Sequence, residues 1–257
     1  MGILGKLKKF IDNSIPDWVP RPPGPGPIIG GGVDLHNLGQ SLTNKIAAKL
    51  GGDRAEGVMA DLHRITTPLP VETAQAVFNG VNAFIETGDP QHLQPLAHLT
   101  AGEVTAARNL LTESAVPVPD EVIAILPEEV RDLARSVRVM EVSQVPGDLN
   151  LPKTSINHLE QAGAIALIDV IVFKEMPGTV EQHDKHLWAH EMCHIRQYRD
   201  WGTTEFATRF AVGELSFKTD ARPVNPIEDE ADVFACKAYF VDKPGYLSSC
   251  TFALSPR

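Results

Sequence analysis

Three things are scarce in this chain, and each scarcity removes a class of function. Its 257 residues include only three cysteines, Cys193, Cys236 and Cys250, an odd number far below the density of a disulfide-stapled scaffold. A reducing compartment is expected, with one disulfide plus a free thiol as the alternative. No apolar run approaches the roughly eighteen residues that a membrane-spanning helix needs, so no integral membrane segment is expected. The opening "MGILGKLKKF" does not fit a Sec-type signal either, because its charges follow a very short apolar patch. The expected location is the cytoplasm of the producing cell, with any export by a non-Sec route. Clustered positive charge is also lacking after the first ten residues. A net charge of −10 and a pI near 5.3 argue against a nucleic-acid partner, since phosphate binding needs a concentrated basic surface.

What is present is enough to fold: 43% hydrophobic content supports a core for one large domain or two small ones. Residues 1 to 15 have the pattern of a short amphipathic helix, with Ile3, Leu4, Leu7, Phe10 and Ile11 apolar and Lys6, Lys8 and Lys9 basic. The stretch "PDWVPRPPGPGPIIGGG" that follows is too rich in proline and glycine for a helix or a central strand and reads as a linker. From residue 34 the apolar residues recur at helical spacing in "LHNLGQSLTNKIAAKL", "VETAQAVFNGVNAFIET", "AGEVTAARNLLTES" and "PEEVRDLARSVRV". His36, His63, His92 and His98 lie in this part without metal-like spacing.

The pattern changes at "AIALIDVIVFKE", where branched residues predict one or two strands with Asp169 near a turn. A helix is then predicted from about Lys185 to Trp201, ended by Gly202. A second helix follows at "TEFATRFAVGELSF". A third starts at "NPIEDEADVFACKAYF", where Asn225 can cap and Pro226 suits the first helical position. The expected fold class is α+β, predominantly helical, with a small β element before the motif helix. The expected organisation is a tail and linker over 1–33, a helical region over 34–150 and a site-bearing domain over 151–257.

The chemistry concentrates in "HLWAHEMCHIRQYRDWG". Residues four apart share a helix face, so His190 and His194 present their imidazoles side by side, as two ligands of a tetrahedral zinc require. Glu191 projects beside them, where a carboxylate can serve as the general base of a metallopeptidase. By composition, a chance His-Glu-x-x-His match is expected in roughly two such chains per hundred. The preferred third ligand is Glu228, 34 residues after His194. Its alternative role is a capping-box glutamate for Asn225, and Glu230 competes for the ligand position. Asp232, one turn after Glu228, is expected to accept a hydrogen bond from the free ring nitrogen of a ligating histidine. Cys193 reads as a packing residue, and a Cys193–Cys236 disulfide between the two helices is conceivable. His183, His186, Tyr198 and Tyr239 are candidates for lining the cleft or stabilising an oxyanion.

These segments resemble the zincin metallopeptidases with a glutamate third ligand, and more closely the extracellular contractile injection system core domain. The likeness covers about residues 160 to 240, through "DVIVFKE", "LWAHEMCHIRQYRDWG", "FATRFA" and "NPIEDEAD" in that order. It implies a zincin-like fold for the C-terminal domain, Zn2+ held by His190, His194 and Glu228, Glu191 as base, and for some members association with an injection-system particle or a role as toxin or effector cargo. It also implies that the strand within Ile165 to Phe173 forms a cleft edge to which an extended peptide adds. The leading expectation is a zinc-dependent hydrolase acting on a peptide or protein substrate. The alternatives are a non-catalytic binding or structural component of such a particle, and a scaffold whose first fifteen residues act on membranes.

Overall fold

The computed structural model describes residues 42–48, 58–59, 62–63, 65–66, 69–145, 163–216 and 225–239. The expected amphipathic start, the proline-rich linker and Cys250 lie outside these residues. Residues 42–48 are helical, followed by helix α1 (Val71–Thr87), a 3-10 turn (Pro90–Leu93), α2 (Gln94–Thr112), strand β1 (Val116–Pro117), α3 (Asp120–Ile125), α4 (Glu128–Ala134) and β2 (Arg138–Glu141). The second half supplies β3 (Ala164–Leu167), β4 (Val170–Phe173), α5 (Gln182–Trp201), α6 (Thr203–Leu215) and α7 (Pro226–Tyr239). The fold is α+β and predominantly helical.

The four strands form one mixed sheet in the order β1-β2-β4-β3, with β2 and β4 parallel and both outer pairings antiparallel. Side-chain alternation explains its layers. On β4, Ile171 and Phe173 face a core shared with α3, α4 and α5, whereas Val170 and Val172 face a second layer with Ala107 and Leu111 of α2. All four β4 residues are buried, so the run "VIVF" reflects a strand covered on both faces. Because β2 and β4 are neighbours, residues on both sides of position 150 share one sheet and one core. A further cluster joins residues 42–48, α1 and the start of α2 to Leu215 of α6.

One expectation is corrected at the level of elements. "PEEVRDLARSVRV" does not continue as one helix: α4 ends at Ala134, and Arg138–Glu141 is a strand. Val137 and Val139 fall at strand spacing, and pairing with β4 outweighs their helical register. Gly202 ends α5 as expected, at φ 79° and ψ 162°, a positive-φ conformation outside the left-handed helical basin. Its amide donates to the Tyr198 carbonyl at 2.8 Å and its own carbonyl accepts from Phe206 at 3.0 Å, so one residue closes α5 and opens α6. A side chain at that positive φ would be strained.

Candidate metal centre

The β3–β4 hairpin is where the sheet meets the site. Its two-residue turn places Ile168 at φ 64°, an unfavourable conformation for a β-branched residue. The guanidinium of Arg108 grips both oxygens of Asp169 in the same turn. Beyond β4, the Trp188 indole stacks edge-on to Phe173 with centroids 4.5 Å apart and donates to the carbonyls of Pro177 and Gly178. These contacts fix the entry of α5, whose middle turns bury His186, His190, Glu191, His194 and Gln197.

A run of buried polar residues needs partners, and α7 supplies most of them. His190 Nδ1 lies 2.8 Å from Asp232 Oδ1, and His194 Nδ1 lies 2.8 Å from Gln197 Oε1. With each Nδ1 directed at an acceptor, both Nε2 atoms turn to the same point, 3.0 Å apart. Glu228 Oε2 completes the triangle at 3.3 Å from His190 Nε2 and 3.4 Å from His194 Nε2. His190, His194 and Glu228 thus form a group that can hold a metal ion. Ligand bonds of about 2.0–2.2 Å at tetrahedral angles put neighbouring donor atoms about 3.4 Å apart, and the three measured edges are close to that value.

The electrostatics describe the same arrangement. Burial disfavours the charged form of His190, but the hydrogen bonds it donates to Asp232 and Glu228 outweigh burial and hold the imidazole well above its ordinary value. Burial and Glu228 act in the same opposing way on His194, with a net upward shift. Burial would raise Glu228, yet the two histidines hold its carboxyl well below the usual carboxylate range. Two imidazoles that favour a proton beside a carboxylate that favours its charged form make a pocket suited to positive charge, and a cation bound by the three donor atoms would take the place of those protons.

The other candidates separate cleanly. Glu230 pairs with Arg196 at 3.5 Å on a different side of α7 and is not in the group. Glu228 is directed at the histidines, while Asn225 caps α7 with its own side chain, its Oδ1 accepting from the Ile227 amide at 3.2 Å. Cys193 is a buried free thiol, so the conceivable Cys193–Cys236 disulfide is not formed; burial pushes the Cys193 pKa up to about 12. Tyr239 donates to the Ile125 carbonyl at 2.8 Å, and His183 is largely exposed next to Asp184. His186 contacts Cys236 Sγ at 3.4 Å. Tyr198 alone of these four lines the cavity that contains His190, Glu191, His194 and Glu228. Its ring stacks on Phe206 at 3.8 Å, and burial, with Glu228 and Glu191 nearby, raises its pKa so that the phenol stays protonated.

One residue, Gln197, and one role of another, Asn225, escaped the sequence reading. Gln197 holds His194 and also donates to the Ile227 carbonyl at 3.3 Å, tying α5 to α7; its signal was the three-residue spacing from His194. Asn225 donates to the Phe210 carbonyl at 3.0 Å and to Glu214 at 3.1 Å as well as capping α7. No local pattern announces that second role. Compared with known proteins, the chain matches no family model, no curated protein and no solved structure. No helix among the described residues is long and apolar enough to cross a membrane.

Proposed function

We propose that His190, His194 and Glu228 bind zinc and that the protein hydrolyses peptide bonds with Glu191 as general base. The observation that carries this reading is the near-equilateral triangle of two imidazole nitrogens and one carboxylate oxygen. An N2O donor set of this size suits zinc with a position left open for chemistry. When bound, zinc supplies a Lewis acid that lowers the pKa of a coordinated water toward neutrality. The resemblance to zincin metallopeptidases supports the same assignment, and a role as toxin or injection-particle cargo rests on that resemblance alone.

The chain's own residues have distinct tasks in this reading. The Glu191 carboxylate, buried on the cavity wall beside His190, takes the proton of the attacking water and delivers it to the leaving amine. Asp232 and Gln197 keep both Nε2 lone pairs turned inward. Tyr198 Oη donates to the oxyanion that develops on the scissile carbonyl. Strand β3, at the edge of the sheet among the described residues and with all four residues lining the cavity, pairs with the extended substrate and sets its register. The deciding experiment is the metal content of protein purified without added metal, by inductively coupled plasma mass spectrometry, for wild type and Glu228→Ala. About one zinc per chain, lost in the variant, is expected for a three-ligand site. Wild type that takes up no zinc on titration overturns the proposal.

A further inference from the structure

The cavity does not end at the metal group. With the metal group included it has a volume of about 210 Å³, and it runs on between α2 and α6. On α2 it is lined by Leu96, Thr100, Glu103 and Val104, the spacing of a single helix face; on α6 it is lined by Phe206, Ala207, Phe210 and Ala211 on successive turns. Leu62 and Ile65 close it from the N-terminal side. Leu62, Ile65 and Leu96 also belong to the second hydrophobic core, so that core opens directly into the candidate site. No lysine or arginine is among the described lining residues, and Glu214, one of the carboxylates there, is held by Asn225.

We infer that this trough is the specificity pocket of the site and takes one large apolar side chain, of the leucine or phenylalanine kind, from a peptide paired along β3. The inference rests on the reading of the site as peptide-binding. It assigns a task to Leu62, Ile65 and the α2 face from Leu96 to Val104, which lie outside the segments that resemble zincins: they build the wall that selects the substrate. The size fits. A cavity of about 150 Å³ lined by aliphatic and aromatic side chains already accommodates benzene. The chemistry fits too, because an apolar side chain extends an existing core, whereas an acidic one directed between α2 and α6 would meet Glu103 and Glu214 on walls whose described residues include no lysine or arginine.

The test uses metal-stripped protein and reads no cleavage. Chemical-shift titration of the 15N-labelled full chain with N-acetylated, C-amidated Gly-X-Gly-Gly peptides compares X = Gly, Asp, Lys, Leu and Phe. Leu and Phe are expected to bind roughly tenfold or more tightly than Gly, the scale of burying one such side chain. Thr100→Phe fills the trough without removing core atoms and is expected to abolish that preference; Ala211→Phe does the same from the opposite wall. Equal affinity for all five peptides, tightest binding of Lys or Asp, no binding, or a preference that survives both substitutions in folded protein overturns the inference. A protein that prefers Phe yet binds no zinc and cleaves nothing retains this pocket and loses only the hydrolytic reading.

Discussion

Asp232 Oδ1 lies 2.8 Å from His190 Nδ1, a hydrogen bond that crosses from α7 to α5 and decides which imidazole nitrogen faces Glu228. Removing it frees the ring to turn. Asp232→Ala is expected to weaken zinc binding by about 10- to 100-fold, measured by competition with a chromogenic chelator, while the far-ultraviolet circular dichroism stays unchanged. Affinity equal to wild type would mean that packing alone orients His190.

Glu191 is not one of the three donor residues, so its chemical role separates from metal binding. Glu191→Gln is expected to retain zinc and fold and to lose hydrolysis by about 10²- to 10⁴-fold; His190→Ala is expected to lose both. Wild-type cleavage by Glu191→Gln would show that the assigned base is wrong.

Tyr198→Phe keeps the stack on Phe206 and removes only the hydroxyl. The expected result is unchanged zinc content and KM with kcat reduced by about 100-fold, the scale of losing one oxyanion donor. A change confined to KM would place the hydroxyl in substrate binding instead.

Gly213 faces Asn225 so closely that an added Cβ would sit 2.1 Å from Asn225 Oδ1. Gly213→Ala must displace the side chain that caps α7 and docks it on α6. A loss of about 1–3 kcal/mol in urea unfolding is expected for such overpacking, together with weaker zinc binding, because Glu228 lies in the first turn of α7. Stability equal to wild type would show that Asn225 is dispensable.

Burial, with His190 and His183 adding to it against Asp232, depresses His186 from 6.5 to about 4. The imidazole is neutral in the folded protein, while the unfolded chain takes up a proton below pH 6.5, so the unfolded state binds more protons between those values. Stability from this group is complete above pH 6.5 and is lost as pH falls toward 4. Between pH 7.5 and 5 wild type is expected to lose about 2 kcal/mol more than His186→Gln. Equal losses in urea titrations of the two proteins would contradict that linkage.

Much of this arrangement follows from local pattern. Four-residue spacing is enough to put His190 beside His194, because 3.6 residues per turn returns them to one face. The branched run from Ala164 to Phe173 reads as a strand pair because its composition suits a pleated, buried surface, and Asn225-Pro226 marks the start of α7. The strands Val116–Pro117 and Arg138–Glu141 were not legible in the same way. Both are too short to show a period, and they exist because β4 and β2 pair across a long sequence gap.

What the sequence by itself determined is the chemistry available: two imidazoles and a carboxylate on one helix, further carboxylates on another, and the helical periods that carry them. The tertiary structure decided which carboxylates arrive and from where. Glu228 rather than Glu230 meets the histidines because the docking of α7 on α5, held by Asn225 and Gln197, turns one face of that helix inward and leaves Glu230 to Arg196. The apolar trough between α2 and α6 is likewise a product of packing: each helix carries part of its lining, and neither part forms a cavity until long-range contacts bring the two faces together.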